Sequence, residues 1–281
     1  MKKLKSKLRN KFNRRQARKA IPLFASFFLA QFPVPAGNNA IKSGVATFSA
    51  TPGTLKFIQF ELEMYNLYEE AGLAEAGLSL EVFNKAMVGY LNLEQAGKLS
   101  DKKILTIADF DKPSTEKRLW VIDLEAKEIL HHSLVAHGKN SGLERAEKFS
   151  NVPESEMSSL GFYVTQDTYQ GRHGLSLKLA GMDAAYNQNA FDRNVVVHGA
   201  EYVSEDFIKQ HGRLGRSQGC PALPMNNYAE IISEIKSGSC LYLHASNTDY
   251  NSEFLNTEVA MNAFYDNALP ITSTSMSLNH I

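Results

Sequence analysis

Near residue 100 the spacing of apolar residues along the chain changes from a helical period to a strand period. Before this point apolar residues recur every three or four positions over residues 55–72 and 79–98, which predicts two amphipathic helices. In the second helix, Ser79 is placed to cap the start and Gly97 to end it. The predicted apolar stripes are Leu55, Ile58, Leu62, Tyr65 and Tyr68 in the first helix and Phe83, Met87, Tyr90 and Leu91 in the second.

After Asp101 the chain consists mostly of short apolar or alternating runs separated by turn residues. Seven runs are predicted as strands: KILTIADF, KRLWVIDL, KEILHHSLVAHG, GFYVTQDTY, LSLKLAG, NVVVHGA and SCLYLHA. Short helices are predicted at 204–212, capped by Ser204, and near 254–264. This pattern predicts a mainly β fold, a β-sandwich or barrel-like catalytic domain with an N-terminal helical segment.

The N-terminus has the pattern of an export signal. Ten of the 30 Lys and Arg residues lie within residues 1–36, which contain no acid, and the apolar run IPLFASFFLAQF follows them. This run is shorter than the roughly 20 residues of a membrane span, so no stable span is expected after cleavage. A nucleic-acid-binding arm and an uncleaved membrane anchor are the competing interpretations, and the Arg14-Arg15 pair is only a weak twin-arginine signal.

The same reading divides the whole chain into segments. We predict a signal peptide at 1–36, a small-residue linker at 37–54, a helical segment at 55–98, a catalytic domain at 99–246 and a polar C-terminal tail at 247–281. Outside the signal the chain carries 20 basic and 30 acidic residues, so its net negative charge disfavours binding to a phosphate backbone. Nucleic acid is therefore not an expected partner.

Cys220, in the sequence SQGCP, is the strongest candidate for chemistry. Gly219 permits a sharp turn before it, and Pro221 offers no amide, so oxyanion donors must come from Gln218, Gly219 and Cys220. A thiol of ordinary pKa needs a neighbouring base, and His198 at the end of NVVVHGA is the best candidate.

Other interpretations of these residues stay open. A disulfide between Cys220 and Cys240 is the alternative for an exported chain, although Cys240 lies in a predicted core strand. The spacing of His131, His132 and His137 matches no zinc signature, so no metal site is predicted. No cofactor is expected.

The motifs VVVHGAEYV and GRLGRSQGCPALP together resemble the paired His and Cys motifs of the L,D-transpeptidase (YkuD-like) catalytic domain family. The upstream segments DFDKPSTEKRLWVIDLEAKEILHHSLVAHGKNSG and FSNVPESEMSSLGFYVT are similar to its murein L,D-transpeptidase branch. The resemblance covers roughly residues 79–246. It implies a β-sandwich whose members act on peptidoglycan stem peptides, which places the protein in the periplasm or cell envelope.

The resemblance also implies roles for individual residues. Cys220 matches the nucleophile that forms a thioester with the stem peptide, and His198 matches the general base, which a backbone carbonyl orients in this family. Gly219 matches the family's glycine, whose amide with that of Cys220 binds the oxyanion. Gly161 and Phe162 match a substrate-facing loop.

The chain departs from the family pattern beside the cysteine. Gln218 replaces a second histidine, Ala222 replaces Asn or Arg, and the spacing between His198 and Ser217 is slightly longer than usual. Arg216 or Arg193 could supply a charge for a substrate carboxylate, with a surface ion pair as the equal alternative, and Ser217 is a further candidate for substrate binding.

These features predict an exported cysteine L,D-transpeptidase that cross-links or remodels peptidoglycan. The alternatives are an L,D-carboxypeptidase or endopeptidase, in which water replaces the acceptor amine, and a non-catalytic cell-wall-binding module.

Overall fold

The computed structural model describes residues 51–246 and 249–268, so the predicted signal peptide and the end of the predicted tail lie outside the described residues. The helices are α1 (Pro52–Glu70), α2 (Leu80–Gln95), α3 (Glu205–His211), α4 (Tyr228–Ile235) and α5 (Thr257–Ala268). The strands are β1 (Ile104–Asp109), β2 (Leu119–Asp123), β3 (Glu128–Ser133), β4 (Gly161–Gly171), β5 (Gly174–Gly181), β6 (Val196–Ala200), β7 (Ala222–Pro224) and β8 (Cys240–His244). The predicted mainly β fold with helices before it is confirmed.

All eight strands belong to one hydrogen-bonded sheet, in the order β3-β2-β1-β8-β4-β5-β6-β7. Its two ends meet, because Ala136, just after β3, pairs with Ala222 in β7, and Gly138 pairs with Ser217. The sheet is therefore curved almost into a closed barrel, which brings the segment after β3 alongside the loop that carries Cys220.

The outer face of one half of the sheet is covered by helices. Strand residues alternate between faces, so Phe162 and Tyr242 point outwards and pack under α1, α2 and α5 together with Trp120. The Phe162 and Tyr242 rings stack with centroids 4.4 Å apart.

The opposite face of the sheet forms a second core. Tyr163, Leu241 and Leu243 belong to this face and pack with Ile231 and Ile232 of α4. The apolar alternation of the central strands is thus satisfied on both sides, which explains why β1 is buried at every position.

The helix predictions are confirmed in position, but one predicted stripe is only partly correct. Ser79 caps α2 by accepting the Val82 N–H at 3.2 Å, as expected. In α1, the predicted Tyr68 is buried, but Leu55, Ile58 and Leu62 are more than half exposed, and Phe60 and Met64 are buried in their place. The helix packs mainly through its second half, so periodicity alone placed the stripe wrongly in the first half.

One helix boundary differs from the prediction, and two short elements were not predicted. The first helix begins at Pro52, inside the predicted linker, because Thr51 caps it and proline fits the first helical position. Strand β7 and helix α4 were not predicted: β7 has only three residues, and α4 follows directly in the segment 228–235. A strand of this length carries no readable period.

Candidate active site

Cys220 lies on a tight loop that runs from Ser217 to Pro221 and leads into β7. The Ser217 hydroxyl accepts the Gly219 N–H at 3.0 Å and donates to the Cys220 carbonyl at 2.6 Å. One side chain therefore fixes the backbone on both sides of the cysteine. This local turn gives Ser217 a shaping role that the sequence did not suggest.

Gly219 is required here for both its conformation and its size. Its φ of +121° is one that L residues rarely adopt, and a Cβ at this position would lie 2.7 Å from the Met157 carbonyl oxygen. The Gly219 carbonyl accepts from the Ser158 hydroxyl at 3.3 Å. The loop is thus held closely against residues 157–158.

The loop amides were predicted to bind an oxyanion. The Gly219 N–H is already used by Ser217. In the described part of the chain, the N–H groups of Gln218 and Cys220 have no hydrogen-bond partner. These two amides are therefore the donors that the loop leaves free.

His198 is the central residue of β6 and is buried, with 3% of its surface exposed. Its Nδ1 lies 2.9 Å from the Gly199 carbonyl oxygen. Because a carbonyl can only accept, Nδ1 carries the proton and Nε2 has a free lone pair. Burial, and to a lesser extent the nearby His173, lower the pKa of His198 although the Gly199 hydrogen bond opposes them, so the ring is neutral and able to accept a proton at neutral pH.

Strand pairing places the Cys220 loop beside β6. His198 pairs with Ala222 in the parallel β6–β7 ladder, so Val196 and Cys220, each two positions earlier, lie next to each other. Accordingly, the Val196 N–H donates to the Cys220 Sγ at 3.5 Å, and the thiol donates to the Asn194 carbonyl at 3.6 Å. In this conformation the thiol's partners are backbone groups and not the His198 ring.

The thiol is half-buried and neutral in this environment. Burial raises the pKa of Cys220, and the Val196 N–H and the positive charge of Arg193 only partly oppose the effect. With a neutral His198, the two residues form a neutral pair and not a thiolate–imidazolium pair.

His173 is a neighbour of His198 that the sequence reasoning missed. It lies exposed at the turn between β4 and β5, and its ring stacks on His198 with centroids 4.6 Å apart and planes at 25°. The two residues are separated by 25 positions, so only the β5–β6 pairing brings them together.

The two arginines considered for substrate binding differ in how many of their guanidinium hydrogen-bond donors are free. Arg193 uses both Nη atoms on the backbone or hydroxyls of 150–159, including the Met157 carbonyl at 2.7 Å. Arg216 uses Nη1 on the Lys139 and Gly142 carbonyls, both at 2.9 Å, and its Nε and Nη2 have no partner among the described residues. Neither arginine forms an ion pair within the described ranges, so the ion-pair alternative does not hold there.

Gly161 and Phe162 lie away from this site. Phe162 is fully buried against α2, and its N–H donates to Asp183 Oδ2 at 2.6 Å. A Cβ on Gly161 would lie 2.2 Å from the same carboxylate. Both residues are part of the core, so the predicted substrate-facing role does not fit their position.

Cys240 and the side chains of the histidine-rich stretch have partners other than Cys220. Both cysteines are free thiols, and Cys240 is fully buried in β8, so the alternative disulfide is not formed. His132 stacks on Trp120 with centroids 5.1 Å apart. His137 is buried, and its Nδ1 lies 2.8 Å from Arg118 Nη2.

The Arg118–His137 pair is connected to the Cys220 loop through the backbone of His137, and the sequence did not predict it. Arg118 is fully buried and donates to the Val135 carbonyl from Nε and Nη2, at 3.1 and 2.9 Å. The carbonyl of His137 accepts the Ser217 N–H at 3.0 Å. Burial lowers the pKa of Arg118 to about 9, with Asp109 partly opposing it.

Within the described ranges, no helix is long and apolar enough to cross a membrane.

The structure is a mainly β domain in which the Cys220 loop lies beside the strand that carries His198, and comparison with protein families identifies its family. The L,D-transpeptidase catalytic domain matches residues 74–244, which is more than half of the chain. The chain therefore belongs to the L,D-transpeptidase catalytic domain family. A comparison with curated proteins gives no match.

Among solved structures, the chain is similar to L,D-transpeptidases and to a cell-shape protein. The L,D-transpeptidase from Mycobacterium smegmatis shares 15% identity at a TM-score of 0.33, over 51% of this chain and 59% of that one. L,D-transpeptidase 1 of Mycobacterium tuberculosis shares 13% at 0.29, over 51% and 62%. The helical cell shape determining protein of Campylobacter jejuni shares 11% at 0.35, over 65% and 63%. The chain thus spans about three fifths of the length of these structures.

Proposed function

We propose that the protein is an exported cysteine L,D-transpeptidase that acts on peptidoglycan stem peptides in the periplasm or cell envelope. The observation that carries the proposal is the state of His198. Its Nδ1 proton is held by the Gly199 carbonyl and its Nε2 is unprotonated, on the strand beside the Cys220 loop. This is the arrangement that a general base for a thiol needs.

The reaction begins with a change in the partners of the thiol. Cys220 leaves the Asn194 carbonyl and transfers its proton to His198 Nε2, and Sγ attacks the carbonyl carbon of the donor stem peptide. The developing oxyanion accepts hydrogen bonds from the free N–H groups of Gln218 and Cys220. The protonated His198 then gives its proton to the leaving amine, and a thioester on Cys220 remains.

The second half of the reaction reverses these roles. His198 takes a proton from the acceptor amine, which attacks the thioester carbonyl carbon and forms the new amide bond as the bond to Cys220 Sγ breaks, and His198 then returns the proton to the Cys220 thiolate. If water takes the place of the amine, the same site acts as a carboxypeptidase or endopeptidase. We favour transfer because the family is that of transpeptidases. Arg216, with Nε and Nη2 free among the described residues, is the proposed contact for a substrate carboxylate.

Export is proposed from the sequence of residues 1–36, which are basic and then apolar. The proposed site residues are Cys220 and His198 for the chemistry, and Ser217 positions the loop that carries Cys220.

The test combines a carbapenem adduct with product analysis. We expect one carbapenem adduct per chain, located at Cys220 by peptide mass spectrometry, and cross-linked dimers when the protein is incubated with muropeptides. Cys220→Ala should lose both signals, and His198→Gln should slow adduct formation at least about 100-fold.

Cys240→Ala is the matched control and should keep both signals, because this thiol is fully buried. If the products are shortened stem peptides without dimers, the activity is hydrolysis and not transfer. A folded protein that forms no adduct, or a Cys220→Ala variant with full activity, would favour the wall-binding module instead.

A further inference from the structure

Two carboxylates and a histidine meet at one edge of the sheet, apart from Cys220. Asp109 ends β1, His244 ends β8, and the two residues are register partners in this parallel pair. Asp111 follows two positions later. One ligand atom from each of the three lies within 4.8 Å of the others. Because parallel strands end at the same edge, this juxtaposition is built into the sheet.

Within the described residues, no Lys or Arg forms an ion pair with either carboxylate of this cluster. Asp109 is only 6% exposed, its Oδ1 accepts the Asp111 N–H at 3.0 Å, and its Oδ2 has no hydrogen-bond partner in the described part of the chain. The positive charges of Lys112 and Arg118 act on Asp109 without forming an ion pair with it, and Lys112 is itself paired with Glu116 at 2.9 Å. A carboxylate buried in this way is stabilised by a cation bound close to it.

One separation within the cluster is longer than a usual hydrogen bond and matches a metal site. His244 Nε2 and Asp111 Oδ2 are 3.4 Å apart, whereas N–H···O hydrogen bonds are usually about 2.9 Å long. Two ligands at about 2.0–2.1 Å from a tetrahedral zinc ion are about 3.3 Å apart. The observed separation therefore matches two corners of such a site.

Groups outside the cluster orient two of the ligands. The Tyr242 hydroxyl lies 3.2 Å from His244 Nδ1, which leaves Nε2 to face the carboxylates. The Ser246 N–H donates to both oxygens of Asp111, at 3.0 and 3.1 Å. Such supporting contacts are typical of metal-binding histidines and carboxylates.

We propose that Asp109, Asp111 and His244 bind one Zn²⁺ ion. The mixed set of one imidazole and two carboxylates favours Zn²⁺ over Mg²⁺ and Ca²⁺, which prefer oxygen ligands alone. Half-buried Asp111 leaves a side open to solvent for a further ligand. The ion ties the segment after β1 to the end of β8 and so stabilises the sheet, independently of the chemistry at Cys220.

The test measures zinc directly on the full chain in a Cys220→Ser background, which removes the half-buried thiol as a competing ligand. After dialysis against a chelator, isothermal titration with ZnCl₂ should show one site per chain, and Zn²⁺ should raise Tm. MgCl₂ and CaCl₂ should bind at least about 100-fold more weakly. Failure to bind Zn²⁺, or preference for Ca²⁺ or Mg²⁺, would overturn the assignment.

Ligand variants and matched controls locate the ion. Asp111→Asn and His244→Gln should weaken Zn²⁺ binding at least about 100-fold and remove the Zn²⁺-dependent rise in Tm. Asp167→Asn and His211→Gln, at exposed positions, should leave both unchanged. Asp111 is the primary variant because it is half-buried and the chain should remain folded, as circular dichroism can verify. Unchanged zinc affinity in both ligand variants would place the metal elsewhere and refute the proposal.

Discussion

The thiol of Cys220 and the ring of His198 are each kept neutral by burial. The thiol's own partners are the Val196 N–H and the Asn194 carbonyl, so it must change partners before it reacts. A resting neutral pair avoids exposing a reactive thiolate when no substrate is present.

This neutral pair predicts the pH dependence of alkylation. Burial raises the pKa of Cys220 above its ordinary value of 9.0, so the thiolate forms only at alkaline pH. In a Cys240→Ser chain, the iodoacetamide rate should increase about tenfold per pH unit up to pH 9 and continue to rise beyond it. Mass spectrometry of the labelled peptide measures the rate.

The opposite outcome would contradict the neutral pair. An alkylation rate that does not change between about pH 5 and 8 would mean that the resting protein contains a thiolate–imidazolium pair. His198→Gln serves as a control, because removing a neutral ring should change the resting alkylation rate little while it slows carbapenem acylation.

At the scale of elements, α2 packs on the sheet through a glycine. A Cβ on Gly89 would lie 1.9 Å from Cζ of Phe162, and this ring is fully buried under the helix. Glycine costs about 0.5–1 kcal/mol in a helix interior, so its presence here reflects the close approach of helix and strand.

Gly89→Ala should therefore destabilise the protein by about 2 kcal/mol, since overpacking of a core commonly costs about 1–3 kcal/mol. Denaturant unfolding measures the loss. Adding Phe162→Leu should restore part of it, because the smaller side chain makes room for the methyl group.

Gly53→Ala is the matched control in α1. A Cβ at this exposed position meets no atom within 4 Å, so stability should stay constant or rise by up to about 1 kcal/mol. Equal gains in stability from both substitutions would show that helix propensity, and not packing on Phe162, decides the result.

At the scale of the whole molecule, the curved sheet is closed by the segment after β3, and a buried histidine lies in that closure. His137 contacts Arg118, and burial together with this positive charge lowers its pKa from 6.5 to about 3. Its ring is therefore neutral in the folded protein over the mildly acidic range, whereas it is protonated in the unfolded chain.

Stability should consequently decrease as the pH falls below 6.5. Between 6.5 and 3 the unfolded state binds one more proton than the folded state at His137, which contributes about 1.4 kcal/mol per pH unit. Urea unfolding between pH 6.5 and 4.5 measures the slope, and His137→Gln should reduce it by this amount.

His211→Gln, at an exposed position of α3, is the control and should leave the slope unchanged. His132 and His198 also have lowered pKa values, mainly because of burial, so the wild-type slope contains their contributions as well. The difference between wild type and His137→Gln isolates one residue. No difference would mean that His137 is solvated or charged in the folded state.

Local features of the sequence were sufficient for the mainly β fold, the two N-terminal helices and the family. The alternation of apolar residues defines a strand within a few residues, and Ser79 and Gly97 mark the ends of α2 by local hydrogen bonding and backbone freedom. The motifs around His198 and Cys220 are also contiguous, which is why the resemblance could be read from the sequence.

Tertiary structure alone decided which of these residues meet. The sequence did not indicate that His173 stacks on His198, that Phe162 lies under Gly89, or that the amide of Gly219 is used by Ser217. Asp109 and His244 are separated by 135 positions and become neighbours only because β1 and β8 pair in parallel. Residue types and local periods are properties of the chain, whereas contacts between distant residues depend on strand register and on how the sheet closes.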